Sequence, residues 1–89
     1  MLIGVPKEIK NHEYRIGMTP SGVAELVADG HKVLVEKDGG SAVGFHNEDY
    51  LSAGAEVVST AGEIFDRSEM IVKVKEPQPQ ECRMLRPQQ

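Results

Sequence analysis

The sequence has little of what marks disulfide-stabilised and metal-binding proteins. Its 89 residues include one cysteine, no tryptophan, two Phe and two Tyr. A single cysteine, Cys82, excludes an intramolecular disulfide and a metal site built from several thiolates. The three histidines, His12, His31 and His46, lie too far apart in sequence for a compact metal-ligand motif. We therefore predict neither a metal site nor a disulfide.

Long apolar runs and an excess of basic residues are also missing. No stretch approaches the ~20 apolar residues that a membrane-spanning helix needs. The first residues, MLIGVPKE, lack the basic flank and apolar core of a signal peptide. The net charge of −4 and the pI near 5.3 argue against nucleic acid as a partner. We expect a cytoplasmic protein that binds neither a membrane nor a nucleic acid.

Short apolar stretches alternate with helical patterns along the chain. Thr19 before Pro20 is typical of a helix start, acids follow Asn47 in a second candidate helix, and Thr60-x-x-Glu63 is a capping box for a third. The predicted strands are residues 2–5, 32–36, 56–59 and 70–75. This β-α-β-α-β-α-β order predicts an α/β fold with a doubly wound, mainly parallel sheet, helices on both faces, Rossmann-like or flavodoxin-like.

Two segments depart from ordinary loops. Residues 6–18 make a 13-residue link after the first strand, where about 2–6 residues are usual. A long loop at this position is typical of a functional site. Residues 77–89 are rich in Pro and Gln, and we expect them to be poorly ordered. We therefore divide the chain into part of a domain, residues 1–76, and a tail, residues 77–89, and we expect the domain to be incomplete.

Two cations are expected at the same edge of the predicted sheet. Lys75 ends the fourth strand, and Arg15 lies in the long loop after the first. Ligands of open parallel sheets bind outside the carboxyl ends of the strands, and Arg with Lys suits a small anion. The alternative is that Lys75 pairs with Glu8 or Glu76 and that Arg15 is a solvated loop residue. For Lys73 we expect a long side chain that reaches past the sheet edge to water.

The glycine-rich segment DGGSAVGF was tested as a nucleotide-binding loop. Ser41 stands where G-x-G-x-x-G needs glycine, and Phe45-His46 replaces the Lys-Ser/Thr of a P-loop. We predict instead a turn with a positive φ angle at Gly39 or Gly40 and no phosphate site. No Ser/His/Asp or Cys/His set can be assigned, so the residues predict no catalytic group and no cofactor site in this chain.

The segments GVPKEIKNHEYRIGMTP and IVKVKEP resemble the N-terminal part of alanine dehydrogenases, and the likeness runs from residue 1 to about residue 87. That family interconverts L-alanine and pyruvate with NAD, releasing or taking up ammonium, and its members are usually homo-oligomers. The resemblance implies that Arg15 binds the substrate carboxylate and that Lys75 contacts the carbonyl or amino end of L-alanine or pyruvate.

The resemblance also implies what this chain lacks. The family's catalytic histidine and its NAD-binding glycine loop follow an LRPGQ-like segment, and here the chain ends at LRPQQ, with Gln88 in place of the usual glycine. The 89 residues alone are therefore expected to be inactive. The NAD-binding subunit of nicotinamide nucleotide transhydrogenase opens similarly, but it usually departs from KVKEP after the first lysine, so Lys75 favours the dehydrogenase. Further alternatives are a truncated relative that acts by association and a stand-alone binder of small carboxylates.

Overall fold

A computed structural model describes residues 1–87 and 89 of the chain. In this part of the chain, four strands alternate with three helices, and a fourth helix follows. The strands are β1 (Leu2–Val5), β2 (Lys32–Glu36), β3 (Glu56–Val58) and β4 (Met70–Ile71). The helices are α1 (Pro20–Ala28), α2 (Asn47–Ser52), α3 (Ala61–Arg67) and α4 (Pro79–Cys82), with a 3₁₀ turn at Ser41–Val43. None of these described helices combines the length and the apolar character needed to cross a membrane.

The four strands form one parallel sheet in the order β3-β2-β1-β4. One face carries Val5 and Val33, which pack with Val23 of α1 and Tyr50 of α2. The opposite face carries Leu34 and Val58, which pack with Ile64 of α3. Because apolar side chains leave the strands in both directions, both faces need helices to bury them. The predicted doubly wound α/β fold is confirmed.

The helix boundaries follow from the capping residues in the sequence. The hydroxyl oxygens of Thr19 and Thr60 accept backbone N–H bonds at 3.2 Å from Gly22 and Glu63. The capping box at Thr60 is only half formed, because the Glu63 carboxylate accepts a bond from Arg67 at 3.1 Å instead. The two hydrogen bonds to the threonine hydroxyl oxygens satisfy backbone N–H groups that the first turn of a helix leaves without partners.

The fourth strand is shorter than predicted. The prediction of residues 70–75 was wrong at its end, because β4 stops at Ile71. The backbone N–H groups of Val74 and Lys75 donate to the carboxylate of Glu8 at 3.0 and 3.3 Å, not to a neighbouring strand. A buried acid therefore takes over as the acceptor for the chain that leaves the sheet.

The glycine-rich turn also differs from its prediction. Positive φ angles fall on Asp38 (63°) and Gly44 (86°), not on Gly39 or Gly40. Gly40 has an ordinary φ of −100°. Glycine is required at position 40 because a side chain has no room there: a Cβ atom would lie 2.8 Å from Cβ of Phe45. Sequence patterns do not reveal such a close approach, because it depends on how distant residues pack.

The segment after residue 76 contains a helix that the sequence analysis did not predict. Glu81 of α4 is buried, and the guanidinium of Arg86 donates to the carbonyl of Ser68 at 2.7 Å. The division at residue 76 and the expected poor order of the tail stay predictions. Gln88, which departs from the family pattern, lies outside the described residues.

We expect opposite effects on stability from one substitution at two glycines. Gly40→Ala should lower the free energy of unfolding by about 1–3 kcal/mol through overpacking against Phe45. Gly62→Ala should raise it by about 0.5 kcal/mol, because Gly62 is exposed in α3 and a Cβ there would meet only the Thr60 hydroxyl oxygen at 3.9 Å. Urea unfolding followed by circular dichroism measures both, and equal effects would contradict the packing role of Gly40.

Candidate functional site

The candidate site lies where the strand order of the sheet reverses. From β1 the chain proceeds to β2 and β3 on one side, and then crosses back to place β4 on the other side of β1. Such a reversal leaves a crevice outside the carboxyl ends of the two strands that flank it, and ligands of open α/β sheets bind in such crevices. Here the chain leaving β1 supplies residues 6–18, and the chain leaving β4 supplies residues 72–78.

The structure brings the two predicted site residues, Arg15 and Lys75, to one carboxylate. The Nε and Nη2 atoms of Arg15 donate to the two oxygens of Glu13 at 3.0 and 3.1 Å. The Nζ atom of Lys75 lies 3.8 Å from Oε1 of the same side chain. The exposed fractions of the side chains are 66 % for Arg15, 40 % for Lys75 and 4 % for Glu13. These three residues are called the Arg15–Glu13–Lys75 cluster below.

Glu13 was not among the site residues predicted from the sequence. Hydrogen bonds from the side chain and the backbone of Arg15 hold the pKa of Glu13 below its usual 4.5. The Glu13 carboxylate in turn raises the pKa of Arg15. Glu13 is therefore an anion and Arg15 a cation at neutral pH. In the sequence, the only indication of this pairing is that Glu13 lies two residues before Arg15. An acid two residues from a cation is too common a spacing to identify one functional acid.

The prediction for Lys73 was wrong, because its side chain belongs to a second, buried group of charges. Its ammonium does not reach past the sheet edge to water; it lies 3.1 Å from a carboxylate oxygen of Glu8 and 3.1 Å from one of Glu81. The three side chains are only 6, 2 and 1 % exposed, in the order Lys73, Glu8 and Glu81. Burying a charge is costly unless it is paired, and each acid here faces the one buried ammonium.

Glu8 joins the two segments that carry the predicted site residues. Its carboxylate accepts hydrogen bonds from the ammonium of Lys73 and from the backbone N–H groups of Val74 and Lys75. In the alternative interpretation Lys75 would pair with Glu8 or Glu76. Only the backbone N–H of Lys75 bonds to Glu8, while its ammonium faces Glu13 and Glu76 bonds to Lys10.

A cavity of about 480 Å³ is lined by Glu13 and Arg15 of the cluster but not by Lys75. Residues 7–15 line one side of it, and the turn after β2 lines the other with Asp38, Gly39, Ser41 and Ala42. Lys7, Lys10 and Arg15 place positive charge in its wall, and Glu8, Glu13 and Asp38 place negative charge there. A pocket with these charges and this volume can accept a small polar molecule, and Arg15 supplies the donors for a carboxylate.

The described residues do not fit a dinucleotide or a metal ion. Gly40 packs against Phe45 and Tyr50, so the glycine-rich turn does not present open backbone to a pyrophosphate. No group of three or more His, Cys, Asp or Glu side chains in residues 1–87 and 89 is arranged to hold a metal.

Comparison with known proteins bears on the family and the fold of the chain. Residues 4–89 match the family "Alanine dehydrogenase/PNT, N-terminal domain". An alanine dehydrogenase of Bacillus subtilis strain 168 is 54 % identical over 91 % of this chain and 21 % of its own length. A solved L-alanine dehydrogenase superposes with a TM-score of 0.93 at 51 % identity, covering 97 % of this chain and 24 % of that one. A solved transhydrogenase from Sinorhizobium meliloti gives 0.91 at 26 % identity, covering 99 % and 25 %. The chain spans about a fifth of the length of the curated relatives that it matches.

Removing the buried ammonium should destabilise the chain strongly. Lys73→Ala leaves the Glu8 and Glu81 carboxylates buried without their cation, so we expect the free energy of unfolding to fall by about 3–5 kcal/mol. Lys10→Ala is the matched control, because its pair with Glu76 is exposed and solvent screens it. Urea unfolding measures both variants. Equal small effects would mean that the buried group does not hold the site together.

The pKa of Glu13 should depend mainly on Arg15, with a smaller lowering by Lys75. In Arg15→Ala the pKa of Glu13 should rise toward 4.5. In Lys10→Ala the pKa that rises should be that of Glu76, because Lys10 lowers it. Because the folded-state pKa of Glu13 is depressed, its stabilisation is present above the usual pKa and is lost as the pH falls through the folded-state value. Titration of the carboxyl carbons by NMR measures both groups. A Glu13 pKa that Arg15→Ala leaves unchanged contradicts the pairing.

Proposed function

Because the chain belongs to the alanine dehydrogenase/PNT N-terminal domain family, we propose that it is the N-terminal part of the substrate domain of an NAD-dependent alanine dehydrogenase. The complete protein would convert L-alanine, NAD and water to pyruvate, ammonium and NADH. One observation carries the proposal: Arg15 and Lys75 meet on one carboxylate at the reversal of the strand order. That is where an open α/β sheet binds its ligand.

Each cation has a distinct role in this proposal. Arg15 binds the carboxylate shared by L-alanine and pyruvate, since a guanidinium donates two parallel hydrogen bonds to such a group. Lys75 contacts the carbonyl oxygen of pyruvate or the amino end of L-alanine. A cation next to that oxygen polarises the carbonyl and stabilises the negative charge that develops on it during reduction.

The remaining parts of the reaction are assigned to residues outside this chain. NAD supplies the hydride acceptor in the complete protein, and the described residues do not fit it. We assign no proton transfer to the Arg15–Glu13–Lys75 cluster, because Glu13 is held as an anion by Arg15. The complete protein is further proposed to be a cytoplasmic homo-oligomer, as the family resemblance implies.

The second candidate is a transhydrogenase, because the description of the matching family includes PNT beside alanine dehydrogenase. It is supported less well, because the solved transhydrogenase is 26 % identical to this chain and the solved alanine dehydrogenase 51 %. Lys75 also favours the dehydrogenase, as the sequence motif KVKEP is expected to be complete only there.

A chimeric enzyme tests the proposal. Residues 1–87 replace the matching part of the Bacillus subtilis alanine dehydrogenase, to which this chain is 54 % identical. Arg15→Ala and Lys75→Ala should each lower kcat/KM for pyruvate by a factor of about 30 to 1,000, which corresponds to about 2–4 kcal/mol for a lost charge-assisted contact.

The control in the same chimera is Lys37→Ala, which removes an exposed cation that does not line the cavity. It should leave kcat/KM within about twofold, because solvent screens an exposed charge outside the cavity. Near-normal kinetics of Arg15→Ala or Lys75→Ala would remove that residue from the site. A chimera that folds and is inactive with all residues intact would count against the whole proposal.

A further inference from the structure

The most exposed member of the Arg15–Glu13–Lys75 cluster is held by the most buried one. Glu13 is 4 % exposed, and Arg15 is 66 % exposed. Glu13 is fixed independently of the arginine side chain, since its Oε2 atom also accepts the backbone N–H of Arg15 at 3.0 Å. The carboxylate is therefore a fixed point, and the guanidinium is the group that solvent and ligands reach.

Glu13 uses only one edge of the guanidinium. A guanidinium offers five N–H donors in a plane, arranged so that a carboxylate can bind bidentately at the Nε–Nη edge or at the Nη1–Nη2 end. Glu13 takes Nε and Nη2. Within residues 1–87 and 89, Nη1 makes no hydrogen bond. The end of the guanidinium thus keeps its donors for another carboxylate.

We propose that Glu13 is a positioning residue that grips the Nε–Nη2 edge of Arg15 and so presents the Nη1–Nη2 end to the carboxylate of the ligand. This proposal rests on the proposed function, because it assumes that Arg15 binds a ligand carboxylate. Without Glu13 an exposed arginine samples many rotamers, and fixing it then costs binding free energy. A preorganised guanidinium avoids that cost.

The opposite role for Glu13 makes the opposite prediction. If Glu13 occupied the place of the ligand carboxylate, a ligand would have to displace it. Weakening the contact between Glu13 and Arg15 would then tighten the binding of the ligand. The burial of Glu13 and its bond to the Arg15 backbone oppose displacement. The ammonium of Lys75 also lies 3.8 Å from Glu13, so displacement would separate the carboxylate from a second cation.

Glu13→Asp separates the two roles at constant charge. Aspartate is one methylene shorter, so it keeps the negative charge and loses the reach to the guanidinium edge. With the 89-residue chain and pyruvate as the probe, NMR titration in the millimolar range should give a Kd about five to ten times higher in Glu13→Asp. Glu76→Asp, the same shortening at an exposed acid beside Lys75, should leave the Kd unchanged.

The Arg15 Nε–H signal provides a readout that a loss of stability does not mimic. We expect it at the position of a hydrogen-bonded guanidinium in the free chain and unchanged when pyruvate is added, while the Nη signals shift. Tighter pyruvate binding in Glu13→Asp, or loss of the bonded Nε–H signal on addition of pyruvate, overturns the proposal. A free chain whose Nε–H signal matches an unbonded arginine overturns it without any ligand.

One further variant distinguishes failure of this proposal from failure of the proposed function. Arg15→Ala should abolish pyruvate binding whatever Glu13 does. If Arg15→Ala binds pyruvate as the unchanged chain does, the assignment of Arg15 to the substrate carboxylate is wrong. If Arg15→Ala loses binding and Glu13→Asp does not weaken it, only the positioning role of Glu13 is wrong.

Discussion

The carboxylate of Glu8 is the constraint on which the candidate site depends. It is 2 % exposed and accepts hydrogen bonds from the Lys73 ammonium and from two backbone N–H groups in the chain that leaves β4. Glu8 itself belongs to the chain that leaves β1. One buried anion therefore joins the two loops, and it holds the backbone of Lys75 against the loop that carries Arg15.

The buried charges also explain why the site is next to a short strand. In a longer β4 the N–H group of Val74 would pair with the chain that follows β1, as the N–H group of Val72 does with the carbonyl of Gly4, and the side chains would continue to alternate across the sheet. Bonding to Glu8 turns this segment out of the sheet instead. The buried group costs desolvation, and an apolar replacement of the same shape can be equally stable, so its value lies in fixing this geometry.

Much of the fold and the proximity of Arg15 and Lys75 could be predicted because they follow from local patterns and from the direction of the strands. The order of strands and helices came from periodicity and caps, and Arg15 and Lys75 were placed together because parallel strands end at one edge. The limits of β4, the burial of Lys73 and the role of Glu13 could not be predicted. Each of them depends on which acid packs against which cation in three dimensions, and sequence spacing does not encode that choice.

Two cations that lie close together repel each other, and a counter-ion beside them reduces that repulsion. Glu13 is such a counter-ion. Its carboxylate lies next to both cations and its side chain is 4 % exposed, so it partly neutralises their charge. It accepts hydrogen bonds from the Nε–Nη2 edge of Arg15, and within residues 1–87 and 89 the Nη1 atom makes none. With Glu13 ionised, the Arg15–Glu13–Lys75 cluster carries a net charge of +1, which suits the monocarboxylate ligand proposed for Arg15.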